Sequence, residues 1–174
     1  TAPNSITAAG GHLFVADSNA VAVYAENGTF VTSIAGVFGA RAALASAEGT
    51  AVYVAESTSG QIAVIDSSTL TRTAEIPVKN CQIDDLALVG EILFYAYACA
   101  GSGEINHVDL GTGTAHDVDA PDVTGLTGAP RLTADGGRLI ALDTDGSLSS
   151  WVVDAVTGAL SDERTGDAGS QTFC

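Results

Sequence analysis

Residues 51–69 read AVYVAESTSGQIAVIDSST. Two short apolar runs, at 52–55 and 62–65, flank a small polar turn, and Asp66 closes the second run. The same order recurs along the chain. Leu13-Phe14-Val15-Ala16 leads to the run at 20–24, residues 92–95 lead to Ile105-Asn106-His107-Val108-Asp109, and residues 139–142 lead to Trp151-Val152-Val153-Asp154. Asp66, Asp109 and Asp154 share one column of this alignment, and Ala25 holds its first slot, at intervals of roughly 41–45 residues. A period of that length, built from four short strands, predicts the blades of a β-propeller.

The expected fold is therefore all-β: four four-stranded antiparallel blades over residues 5–37, 40–78, 80–118 and 129–165, in a single domain spanning 1–174. Asn27-Gly28, Glu48-Gly49, Ser59-Gly60, Asp135-Gly136-Gly137 and Asp145-Gly146 supply the hairpin turns. Helical periodicity is sustained nowhere. Runs that are apolar on both faces, such as 62–65, fit sheets covered on both sides. Residues 119–128 read as an irregular loop, and residues 170–174 as the start of a further blade.

An open arc of four blades would be part of a larger ring of about seven blades. It is expected to leave Val21, Val23 and Trp151 bare on its end blades. The rest of the same polypeptide, or another copy, would complete the ring. The absence of Met and of a leader peptide reads as a mature or trimmed product.

The net charge of −15, from 21 acidic and 6 basic residues, repels phosphate backbones and anionic lipid. No nucleic acid and no membrane surface is expected as a partner. No apolar run reaches the roughly 18 residues of a membrane helix, so membrane insertion is not expected either. The acidic surface reads as a solubility device, with calcium binding as the sharper alternative.

Gly90 lies midway between Cys81 and Cys99. A hairpin centred there puts the two cysteines opposite each other on antiparallel strands, within reach of a disulfide. The alternative is a pair of reduced core cysteines. A structural disulfide implies an extracellular or cell-surface location. Cys174 has no partner in this pattern.

Several residues are candidates for chemistry. His107 stands in a column otherwise held by Val23, Val64 and Val152, where it would line a channel, hold a metal or bond within the core; His12 and His116 lack ligand spacing. Asp143 and Asp145 open a stretch that starts like a calcium loop, lacks the later bidentate glutamate, and reads better as a turn. Asp84 and Asp85 sit on an innermost strand, where adjacent carboxylates would face a channel cation or, for one of them, solvent. The recurring Asp66, Asp109 and Asp154 read as caps of the turn to the outer strand. Trp151 reads as packing between blades, with a sugar-stacking platform as the alternative. No Gly-x-Ser-x-Gly, phosphate loop or Cys/His cluster is present.

VYVAESTSGQIAVIDSSTLT resembles the repeat of YVTN-type β-propellers, which carry a Tyr-Val pair, a polar turn, a short apolar strand and an Ile-Asp-Thr-like end. Tyr53-Val54 and Val64-Ile65-Asp66 carry the likeness, while the third and fourth repeats keep only their closing parts, 107–109 and 152–154. The arrangement is also similar to the amino-terminal propeller of secreted bacterial surface proteins that continue into immunoglobulin-like repeats. That resemblance implies a non-catalytic structural, adhesive or ligand-presenting module without cofactor, meeting a protein or glycan. The alternative is a lactonase- or lyase-like propeller enzyme or enzyme subunit with a channel-bound divalent metal. Convergent Glu, Asn, Asp and His residues on the innermost strands would mark it.

Overall fold

The structure is a computed structural model that describes residues 3–111 and 121–167, and every regular element among them is a β-strand. β1 (Ser5–Ala9), β2 (His12–Ala25), β3 (Phe30–Ala45), β4 (Ala51–Glu56), β5 (Gln61–Asp66) and β6 (Thr71–Pro77) form a six-stranded sheet in chain order. β7 (Gln82–Val89), β8 (Ile92–Cys99), β9 (Ser102–Asp109) and β10 (Val123–Leu126) form a second sheet. β11 (Arg131–Asp135), β12 (Arg138–Leu142), β13 (Ser147–Val153) and β14 (Leu160–Asp167) form a third. All pairings are antiparallel.

The sheets differ from the sequence expectation in two places. β2 and β3 each run through what the sequence reads as two strands. β2 pairs with β1 through residues 12–16 and with β3 through residues 20–24, and the handover falls at Ser18, whose φ is 37°. β3 passes from β2 to β4 around Gly36 and Gly39, at φ 79° and 69°. At Gly39 a Cβ would stand 2.6 Å from the Ser57 hydroxyl and 2.9 Å from Thr58, so both the backbone and the space require glycine. The second difference is β10, an edge strand on β9 where a loop is expected. The remainder of that expected loop and the end of the third repeat, residues 112–120, lie outside the described residues, as does the segment 170–174.

Because β2 and β3 change partners, the six-stranded sheet turns back on itself. Phe14, Ala16, Val21 and Val23 of β2 share one buried cluster with Val52, Val54, Ala63 and Ile65 of β4 and β5. The expectation that Val21 and Val23 would be bare fails here: both are fully buried. A second cluster joins Ala55 and Ile62 to Leu93, Tyr95, Tyr97 and Val108, and Tyr95 and Tyr97 stack at 5.4 Å. A third joins Phe94 and Ile105 to Leu139, Trp151 and Val153, so Trp151 is buried and not bare. The second sheet is thus covered on both faces, which explains the unbroken apolar run of β8 (ILFYAYAC). Each large side chain so buried contributes about 1.5–3 kcal/mol.

β1 lies against β3, β3 against β7, and β7 against β11. No backbone ladder joins these pairs apart from the continuous β1–β6 sheet. Side chains connect them instead, and that is where the candidate residues gather.

Candidate functional site

β7 carries the bulge that organises this region. Val89 pairs with Ile92, so the hairpin turn is Gly90-Glu91, and the register runs regularly to Asp85 opposite Ala96. Ile83 then pairs with Tyr97 and Gln82 with Ala98, so Asp84 is the extra residue of a β-bulge. The bulge has two consequences. It moves the register by one, placing Cys81 opposite Cys99, which form a disulfide with a Cα–Cα distance of 5.4 Å. It also sends two successive carboxylates to opposite neighbours.

Asp84 forms an ion pair with Arg41 of β3 at 2.8 Å and accepts the Gln82 amide at 3.0 Å. Asp85 accepts the backbone N–H of Leu132, on β11, at 2.9 Å through Oδ2 and that of Leu86 at 3.0 Å through Oδ1. Burial raises the Asp85 pKa against the pull of those two N–H groups and of Arg131. Neither carboxylate is the solvent-facing one the sequence suggests. On the other side, Asn4 Nδ2 donates to the Ala40 carbonyl at 2.7 Å, while Ala43 and Ala45 donate to Ser5 Oγ and Thr7 Oγ1 at 3.1 and 3.2 Å. The inner strands are sewn together by side chains at every junction.

A cleft of about 280 Å³ opens here, lined by Arg41, Asp84, Arg131, Asp143 and Thr144 among others. Asp143 is committed within it: Thr127 N donates to its Oδ2 at 2.8 Å and Thr144 N to its Oδ1 at 2.7 Å. Asp145 accepts Ser147 N at 2.8 Å, which lowers its pKa. With Gly146 at φ 90° bonding back to the Asp143 carbonyl, the segment is a hairpin turn. The structure brings Asp84 and Asp143 to one cleft and leaves Asp85 and Asp145 outside its lining. Among the described residues no group of His, Cys, Asp or Glu is arranged to hold a metal ion. A larger cleft of about 390 Å³ along β3, β7 and β11 is lined by Leu44, Leu86, Leu88, Leu132 and small residues, with no ionisable group.

His107 lies elsewhere, between the second and third sheets. Its Nδ1 is 2.7 Å from Asp122 Oδ2, and its ring lies against Phe94 at 5.7 Å and against Gly158. The hydrogen bond to Asp122 raises its pKa over the opposing effect of burial, helped by the charges of Asp122 and Asp109 and by the Thr157 backbone. It is a joint between sheets and does not line the clefts. Trp151 is too buried to offer a stacking face.

The recurring aspartates behave alike. Asp66 Oδ1 accepts Ser68 N and Thr69 N at 2.9 and 2.8 Å, and Asp154 Oδ1 accepts Val156 N and Thr157 N at 2.9 and 2.8 Å. Asp109 Oδ1 accepts Gly111 N at 2.8 Å. The Ser68 hydroxyl and these N–H donors hold the Asp66 pKa at about 2. In the first repeat Asn27 does the work from two residues beyond Ala25, accepting Thr29 N at 3.0 Å.

Sequence reasoning missed the arginines. Arg41 and Arg131 were visible only as part of a charge total. Arg72 was equally hidden: it joins the fully buried Glu56 at 3.0 Å and donates to the Gly36 carbonyl, tying the two halves of the six-stranded sheet.

No family model matches the chain, and no curated protein matches it. Solved structures do. Hydrazine synthase of Kuenenia stuttgartiensis superposes with a TM-score of 0.73 at 18% identity, covering 95% of this chain and 49% of its own. The structure of U3-55K gives 0.72 at 11% identity, covering 94% of this chain and 51% of its own. The chain spans about half the length of each. Both neighbours contain β-propellers, and at these identities the likeness speaks for the fold alone.

Proposed function

We propose that this chain is a non-catalytic, secreted or cell-surface β-propeller module of the YVTN type, with four blades that belong to a larger ring. Its role is structural, adhesive or ligand-presenting, toward a protein or glycan. The observation that carries the reading is the fate of the inner-strand ionisable groups. Asp84 is spent on Arg41, and Asp85 on the Leu132 N–H. An acid–base or metal-dependent reaction needs such groups free and convergent. The Cys81–Cys99 disulfide supports an oxidising location. The folding back of the β1–β6 sheet supports counting it as two blades.

The test pairs an assay with a binding measurement. The chain is incubated with lactone substrates and Mg²⁺, Mn²⁺ or Ca²⁺, with and without chelator, and titrated calorimetrically with the same ions. The expected result is no turnover above buffer and no heat of specific binding. Metal-dependent turnover that Asp84→Asn abolishes would establish the enzyme reading instead.

A further inference from the structure

Large apolar side chains are exposed at both ends of the array of sheets, and on no strand from β4 to β10 among the described residues. Strand pairing assigns them to faces. Ile6 pairs with Val15 and Ala8 with Leu13, and Tyr24 pairs with Phe30; these rows lie opposite the buried Phe14, Ala16, Val21 and Val23. At the far end Ile140 pairs with Ser150 and Leu142 with Leu148, opposite the buried Leu139 and Trp151. Ile6 is 62% exposed and Leu148 38%.

The two faces are unlike, and they are the two halves of the joint used inside the chain. There, the row Phe14, Ala16, Val21, Val23 packs on the row Val52, Val54, Ala63, Ile65 of the following unit. The bare row Leu13, Val15 stands in the column of Val52 and Val54, so it is a receiving face without an incoming sheet. The bare face of β11–β14 is a presenting face without a receiver. Their charges are complementary as well. Arg131, Arg138 and Arg164 share the Leu142 face by register, three of the chain's five arginines, and Arg138 and Arg164 both lean on the single carboxylate of Asp162. The first face carries no cation, and Asp17 continues its Leu13–Val15 row.

The geometry points to a second copy of this chain as the occupant: two copies join head to tail, the Ile6 face of each on the Leu148 face of the other, and close one ring. A heterologous contact that closes makes a cyclic assembly. Since each copy spans 49–51% of the neighbours' length, two supply a full one. This rests on the propeller reading and goes beyond it in naming the partner and the faces.

Light scattering after size exclusion at micromolar concentration tests it, on wild type, Ile6→Asp and Leu148→Asp. Both positions are exposed, so both variants keep their fold, which circular dichroism and the intact disulfide verify. The wild type is expected at about 35 kDa, twice the 17.4 kDa of the chain. Each variant alone is expected as a monomer, and an equimolar mixture of the two recovers dimer, because one intact contact remains between them. A monomeric wild type overturns the inference. So does a dimer that only one substitution breaks, which would be a face meeting itself, and so does a ladder of larger species, which would be a contact that does not close. Solution scattering of the Ile6→Asp monomer examines the propeller reading separately: a compact two-layer envelope would sink that reading whatever the oligomeric state.

Discussion

Asp85 of β7 accepts the backbone N–H of Leu132 at 2.9 Å, a carboxylate of one sheet serving the first strand of the next. Sheets that meet at a narrow axis cannot continue a ladder across it, because their inner strands turn away from each other. Side chains must satisfy the N–H and C=O groups left there. Asp85 does this at the β7–β11 junction, Asp84 with Arg41 at β3–β7, and Asn4, Ser5 and Thr7 at β1–β3.

Replacing Asp85 by Ala leaves the Leu132 and Leu86 N–H groups without their acceptor. The expected loss is about 1–3 kcal/mol in urea unfolding, with a smaller loss for Asp85→Asn, which keeps one acceptor oxygen. Equal losses for the two variants would show that the oxygen on Leu132 carries no stability.

Stability should fall as pH rises through the His107 range. The folded pKa is raised by Asp122, so the contribution is fully present below the unfolded value of about 6.5 and is lost as pH climbs through the higher folded value. Thermal midpoints measured from pH 5.5 to 8.5 check this. His107→Gln should flatten the dependence in that window, and an unchanged slope would remove His107 as its cause.

Trp151→Ala should cost about 3–5 kcal/mol, since the ring fills the space between Phe94, Ile105 and Leu139. Val152→Ala, one residue on and 37% exposed, should change stability by less than about 0.5 kcal/mol. Tryptophan emission should be blue-shifted and indifferent to added sugars. Quenching by a glycan would restore the stacking-platform alternative.

Protein purified without reductant should show no free thiol at Cys81 or Cys99. The double Ser variant should lose about 3 kcal/mol, the loop-closure value for this sequence separation of 18. Free alkylation of both would take away the main support for an extracellular location.

Periodic features were legible in the sequence. The aspartate column marks the turns because a short carboxylate at that point bonds the N–H groups two and three residues on, whatever the surrounding fold. The cysteine pairing was legible for a reason only partly right. Symmetry about Gly90 assumes a turn centred on that residue, whereas the turn is Gly90-Glu91 and the bulge at Asp84 restores the match. The third repeat was set one residue out. Leu93 pairs with Val108, as Val52 pairs with Ile65, so Leu93 and not Ile92 belongs in that column. A run apolar on both faces offers no alternation to fix its register. The roles of Arg41, Arg72 and Asp122 depend on contacts between residues 15 to 43 positions apart or on different sheets, and no local pattern encodes them.

The radial arrangement of the sheets is tested most directly by an experimental crystal structure of the 174-residue chain. The expected result has β1, β3, β7 and β11 side by side around one axis, Asp85 on the Leu132 N–H, and Trp151 between the second and third sheets. A two-layer sandwich, with Trp151 in a single central core and Asp85 in solvent, would contradict it.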